Sequence, residues 1–420
     1  MMVFTSIYGV VDGFFVSNYV GKTPFAAINL IMPFLMILGT VGFMVGTGGS
    51  ALVAMNFGLG NDKKANRIFS MLIYIIIGLG LLFTVIGIIL VEPMSKLLGA
   101  SDEMLPYCVK YGRIILLALT AFMLQNVFQS FLVTAEKPTF GLIITVAAGL
   151  TNMLLDWLFM AVFRWGITGA AAATAIAQMV GGIIPLVYFI IPNKSKLRLG
   201  KTQFDGKALL KTCTNGSSEF MSNISLSVVS MLYNYQLMKL SGEDGVSTYG
   251  VLMYVNFIFI AAFIGYSVGS APIVGYHHGA GNHDELNGLL RKSLVIIGTM
   301  SVAMFALAEL LAVPLGNIFV GYDDKLLEMT VHAFRICSLM FIVCGLNIYG
   351  SGFFTALNNG LLSALISFAR TLVFQVLCVL LLPMIFGLNG IWWSVVVSDV
   401  LALVLTAVCL LKERKVYHYA

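Results

Sequence analysis

Charge is what this chain has least of. Only 10% of its 420 residues are Asp, Glu, Lys or Arg, where a soluble domain carries roughly 25%. A chain so poor in polar groups, 59% hydrophobic and with a mean hydropathy of +0.95, has too little polar surface to face water. Other absences narrow the function. Its six cysteines form no CxxC pair, and most stand in apolar stretches, as small buried side chains do. No glycine-rich phosphate loop with its lysine is present, so no nucleotide motor is expected. No dense basic patch interleaved with aromatics marks a nucleic-acid partner, and the net charge of +5 reports on loop topology instead. Neither a soluble appendage, a low-complexity tract nor a cleavable signal peptide is visible.

What is present is a succession of apolar runs, each near the roughly 20 residues that span a bilayer. Reading them against polar punctuation gives twelve spans: 1–19, 25–56, 67–91, 107–133, 138–160, 168–191, 208–238, 246–278, 288–312, 326–355, 360–385 and 390–411. A backbone in lipid must satisfy its own hydrogen bonds, and these runs are too long and too uniformly apolar for barrel strands. The expectation is an all-α polytopic membrane protein. Fifteen basic residues fall in loops on one side and seven on the other, so the richer side, with both termini, is expected to face the cytoplasm. Residues 192–207 read as a basic cytoplasmic linker, with contact to anionic lipid as a secondary role, and 412–420 as a cytoplasmic tail.

A shift of 221 residues superimposes the punctuation. Gly58-Leu59-Gly60-Asn61 meets Gly279-Ala280-Gly281-Asn282, Pro93 meets Pro314, Thr134-Ala135 meets Thr355-Ala356, and Gly166-Ile167-Thr168-Gly169 meets Gly387-Leu388-Asn389-Gly390. Loop signals that coincide at one offset across five boundaries indicate a duplication. Six crossings per half make the halves, 1–191 and 208–411, parallel six-helix repeats, an arrangement that suits alternating access. The counterpart of residue 208 would precede residue 1. The first span is therefore expected either to lack a turn or more or to be naturally shorter.

Charges at membrane depth mark cavities or partners. Asp12, Asn152, Asp156 and Thr174 fall in one slab of the first half, and Asn152 and Asp156 share a helix face. Two carboxylates, an amide and a hydroxyl suit Na⁺ as a metal ligand set, or proton exchange. The bland alternative makes Asp156 interfacial and Asn152 a packing contact. The second half replaces the two acids with Tyr233 and Leu377 and carries Glu219, Arg335, Arg370 and Asp399. Arg335 and Asp399 are expected to pair, for structure or for transport. Glu219, a candidate for coupling or substrate recognition, has Arg370 as its one basic neighbour in depth. Gly46, Gly48 and Gly49, with Gly265, Gly269 and Pro272, are expected to allow close packing or kinks.

These residues resemble a family. The run Tyr8-Gly9-Val10-Val11-Asp12-Gly13-Phe14-Phe15-Val16, then Gly46-Thr47-Gly48-Gly49-Ser50-Ala51, the Gly58-x-Gly60 loop, Asn152-x-x-x-Asp156, Gly216-Ser217-Ser218-Glu219-Phe220 and Phe386-Gly387-Leu388-Asn389-Gly390-Ile391-Trp392 look like the multidrug and toxic compound extrusion, or MATE, transporters. The resemblance covers nearly all of the chain. It implies two V-shaped lobes and a cation-coupled antiporter that expels amphipathic, often cationic, compounds from the cell across the cytoplasmic membrane, with no enzyme activity, no cofactor beyond Na⁺ or H⁺, and no obligate protein partner. Relatives with a first-span aspartate place the ion at residues matching Asp12, Asn152, Asp156 and Thr174. Others use a seventh-span glutamate with a tenth-span aspartate. Here the glutamate is Glu219, but the tenth span offers Arg335 instead. Rival readings are a flippase for a lipid-linked oligosaccharide, which needs a more cationic cavity, and a non-transporting scaffold or receptor. The same carboxylates serve Na⁺ or H⁺.

Overall fold

The computed structural model describes residues 4–5, 11, 15–16, 19–20, 22–193, 195–321, 323–417 and 419. Among these, every regular element is helical: α1 Lys22–Gly58, α2 Asp62–Leu97, α3 Leu105–Leu117, α4 Leu119–Thr134, α5 Pro138–Asp156, α6 Ile167–Ile190, α7 Gly206–Gly279, α8 His283–Val320, α9 Asp324–Ser338, α10 Phe341–Ala356, α11 Gly360–Phe368, α12 Gln375–Phe386 and α13 Leu388–Tyr417. Two π-helical segments, Trp157–Val162 and Ala369–Phe374, continue α5 and join α11 to α12. Among the described residues, eight helical stretches are long and apolar enough to cross a membrane, and two bent pairs raise the number to ten. The part of α7 before Gly242 is not among them; Ser, Asn and Tyr recur through it. Asp12 and most of its motif lie outside the described residues.

The helices run further than the apolar runs suggested, because polar ends stay helical: α2 begins at Asp62 and α8 reaches Val320. A second difference is shape. The fourth and tenth spans are each two helices, bent by 54° between α3 and α4 and by 49° between α9 and α10. Neither break carries a proline or glycine to mark it.

The repeat is visible in the backbone. Gly60 and Gly281 have φ of +72° and +68°, and Gly166 and Gly387 have +58° and +57°. Each pair stands 221 residues apart, in a left-handed conformation that glycine adopts without a Cβ penalty. At the same offset the break after α3 matches the break after α9. A further glycine, Gly242 with φ +64°, divides α7 into two helices.

The chain forms two compact units, residues 1–216 and 217–420. The boundary thus falls inside α7, later than the linker, because the first turns of α7 pack on the first unit. Gly48 lies against the carbonyl of Thr212, and Gly216 against the carbonyl of Met44. Backbone this close leaves no room for a side chain. Gly269, in contrast, faces open space. The first unit is filled by α1–α6 around Phe69, Phe128, Phe131 and Phe189, whose rings meet at 5.0–5.5 Å. The second buries Phe263, Phe341, Tyr349, Phe353 and Trp392.

Residues 195–205 are a strap tied along α2. The Arg198 N–H donates to Asn66 Oδ1 at 2.7 Å, Asn66 Nδ2 to the Lys196 carbonyl at 3.1 Å, the Gly200 N–H to Ser70 Oγ at 3.1 Å, and Thr202 Oγ1 to the Arg67 carbonyl at 2.7 Å. Leu197 is fully buried under it.

Candidate functional site

In the first unit the predicted residues stand on neighbouring helices. Asn152 and Asp156 occupy the last turns of α5, one helical turn apart, and are 1% and 0% exposed. Thr174 and Gln178 are likewise one turn apart on α6, which packs on α5 and on α4. The α4 helix brings Asn126, 6% exposed. Small residues make this approach close: Gly182 sits on the backbone of Ala121, and Gly181 on the side chain of Gln125.

What sets this region apart is its polar arithmetic. Both side-chain atoms of Asn152, Oγ1 of Thr174, Oε1 of Gln178 and Nδ2 of Asn126 are enclosed and make no hydrogen bond among the described residues. Buried polar groups in proteins are nearly always satisfied, so each exception calls for a ligand or water. Asp156 also adjoins the π-helical turn Trp157–Val162, a distortion that often accompanies functional sites. The donor set is oxygen-rich, as a hard cation or a proton-exchanging carboxylate requires. Among the described residues no three His, Cys, Asp or Glu come together. Asp12, the fourth predicted member, is not described.

Gln178 and Asn126 were not singled out in the sequence, although the repeat contained the signal. At the offset of 221 they correspond to Asp399 and Asn347, which are bonded in the second unit: Asn347 Nδ2 donates to the Asp399 carbonyl at 2.8 Å and to Oδ1 at 3.3 Å.

The predicted pairing of Arg335 with Asp399 is incorrect. Asp399 pairs with Arg370, Nε to Oδ1 at 2.6 Å, with side chains 18% and 3% exposed. Arg335 instead approaches Glu309 at 3.9 Å, with side chains 58% and 34% exposed, and Glu309 also accepts from Ser338 Oγ at 2.7 Å. Depth alone did not decide the pairing: Arg335 lies on an exposed face of α9, whereas Arg370 reaches the buried Asp399. Arg370 lies within the π-helical segment Ala369–Phe374. Glu219 is half-buried and forms no ion pair among the described residues, Arg370 being engaged elsewhere.

The second unit carries no acid at the positions matching Asp12 and Asp156. Tyr233 is 2% exposed, donates its hydroxyl to Gln375 Oε1 at 2.8 Å and stacks on Tyr249 at 4.9 Å.

A family model described as MatE matches residues 1–158 and 220–380. The chain belongs to the MatE family. Multidrug export protein MepA of Staphylococcus haemolyticus is 23% identical over 94% of this MatE chain and 86% of its own length. MepA of Staphylococcus aureus strain MRSA252 is 21% identical over 97% and 90%. A solved outward-facing multidrug resistance MATE family transporter of the MOP superfamily superimposes with a TM-score of 0.94 at 20% identity, covering 100% of this chain and 95% of that one. A MOP superfamily transporter from Pyrococcus furiosus gives 0.93 at 19%, with the same coverage. These likenesses agree on the fold along the whole chain.

Proposed function

We propose that this MatE chain is a secondary antiporter that exports amphipathic, cationic compounds in exchange for Na⁺ or H⁺, and that Asn152, Asp156 and Thr174, with Asp12, form its coupling site. The carrying observation is the set of enclosed, unsatisfied polar atoms on Asn152, Thr174 and Gln178 beside the buried carboxylate of Asp156. A cation supplies the oxygens of Asn152, Thr174 and Gln178 with a partner, and a proton neutralises the carboxylate. Either event changes the cost of keeping the site enclosed and so biases the packing of α5 and α6. Coupling follows when ion and drug favour different packings. The name shared by the MepA relatives, multidrug export protein, supports the substrate class. The distribution of basic residues supports a cytoplasmic membrane location with both termini inside.

The oligosaccharide flippase is disfavoured by charge. Arg370 is neutralised by Asp399 and Arg335 stands 3.9 Å from Glu309, which leaves each of these arginines beside a carboxylate. In cells lacking their own exporters, expression of the chain should lower the steady-state level of a lipophilic cationic dye. Asp156→Asn should restore it at equal expression. An equal dye level with and without the wild-type chain would refute the export reading.

A further inference from the structure

Where the strap turns into α7, it and α2 bound a recess of about 790 Å³. One wall is a single face of α2, on which Lys64, Arg67, Ile68 and Met71 follow one another at the helical spacing of three and four residues. The other wall is the strap end and the first turn of α7, with Phe204, Asp205, Lys207 and Leu210. Hydrogen bonds tie the two walls together. Thr202 Oγ1 donates to the Arg67 carbonyl, and the Asp205 N–H donates to Met71 Sδ at 3.1 Å.

Two properties of this recess define a ligand. The first is positive charge without a counter-charge. Lys64, Arg67 and Lys207 are all exposed, and among the described residues none of them forms an ion pair. The one carboxylate on the walls is occupied with backbone: Asp205 Oδ1 accepts from the N–H groups of Lys207 and Ala208, both at 3.0 Å, and so caps α7. The second property is apolar surface beside that charge. Ile68 and Met71 are buried, whereas Phe204 and Leu210 are 75% and 67% exposed.

A small inorganic anion would use the cations alone and leave Phe204 and Leu210 in water. A phospholipid with a net negative headgroup uses both, its phosphate meeting the cations and its chains the apolar side chains. The position along α2 agrees. Lys64 and Arg67 immediately precede the apolar run that begins at Ile68. Tyr74, one to two turns further on, is exposed and donates its hydroxyl to the Gly200 carbonyl at 3.2 Å, an amphipathic ring of the kind found at the headgroup level.

We infer that this recess binds an anionic phospholipid, the phosphate held by Lys64, Arg67 and Lys207 and the acyl chains lying against Phe204 and Leu210. The site stands on the first unit alone and does not depend on the ion-coupling reading.

The full chain in detergent is titrated with phosphatidylglycerol or with phosphatidylcholine of the same acyl chains, and bound lipid is counted by native mass spectrometry. Phosphatidylglycerol should bind about tenfold or more tightly than phosphatidylcholine. Lys64→Gln/Arg67→Gln/Lys207→Gln should remove that preference and leave phosphatidylcholine unchanged. Lys110→Gln/Arg113→Gln, in a separate recess beside Glu92, should keep it, as should Asp156→Asn, so failure of the coupling site leaves this result intact. Inorganic phosphate should displace phosphatidylglycerol no better than sodium chloride of equal ionic strength. Equal affinity for the two lipids, a preference retained in the triple variant, the same loss in the Lys110/Arg113 variant, or displacement specific to inorganic phosphate would overturn the inference.

Discussion

Asp399 is 3% exposed and its charge is held by Arg370. Removing one member of such a pair strands the other, at a cost of about 3–5 kcal/mol, whereas replacing both with apolar residues is often neutral. Arg370→Leu is therefore expected to lower the thermal unfolding midpoint in detergent sharply, and Arg370→Leu with Asp399→Leu to recover most of the loss. Equal midpoints for wild type and the single variant would contradict the account of this pair. In the first unit the corresponding logic is inverted. Asn152 and Gln178 hold unsatisfied atoms, so Gln178→Leu should leave the unfolding midpoint unchanged or raised. At the same time it should shift the cation concentration at which transport is half-maximal. A lower midpoint with unaltered ion dependence would assign Gln178 to packing alone.

At the scale of elements, the approach of α1 to the first turns of α7 depends on two glycines facing backbone carbonyls, Gly48 on Thr212 and Gly216 on Met44. A carbonyl cannot swing aside as a side chain does, so Gly216→Leu forces α1 and α7 apart, an overpacking cost of roughly 1–3 kcal/mol or more. Reduced yield of folded protein, read by size-exclusion chromatography, is the expected outcome. The strap over α2 depends on Asn66, which both donates to Lys196 and accepts from Arg198. Asn66→Ala should accelerate tryptic cleavage at Lys196, Arg198 or Lys201 without changing the rest of the digest; an unchanged rate would show that the strap is held by its other bonds.

The elements also show which information the sequence carries. Apolar runs and the punctuation at Gly60, Gly166, Gly281 and Gly387 reveal the duplication, because a left-handed backbone at a helix boundary favours glycine and leaves a residue-level mark. The breaks after α3 and α9 leave none. The π-helical segments beside Asp156 and containing Arg370 are equally silent, being set by tertiary packing rather than by local preference.

For the whole molecule, the duplication has diverged in its chemistry. The first unit keeps a buried acid among unsatisfied amide and hydroxyl groups; the second closes its acid with Arg370 and places Tyr233 where the first unit has Asp12. Asn152, Asp156 and Thr174 were legible in the sequence as a slab of oxygen ligands. The neutral character of the second unit was not, because Arg370 and Asp399 stand 29 residues apart and meet only through the packing of the segment Ala369–Phe374 against α13. The most direct test of ion-coupled export is transport of an organic cation in proteoliposomes under separately imposed Na⁺ and H⁺ gradients. One of the two gradients should accelerate drug movement against the ion flow by about tenfold or more, and Asp156→Asn should abolish that acceleration. Drug movement indifferent to both gradients, or acceleration retained in Asp156→Asn, would contradict the proposal.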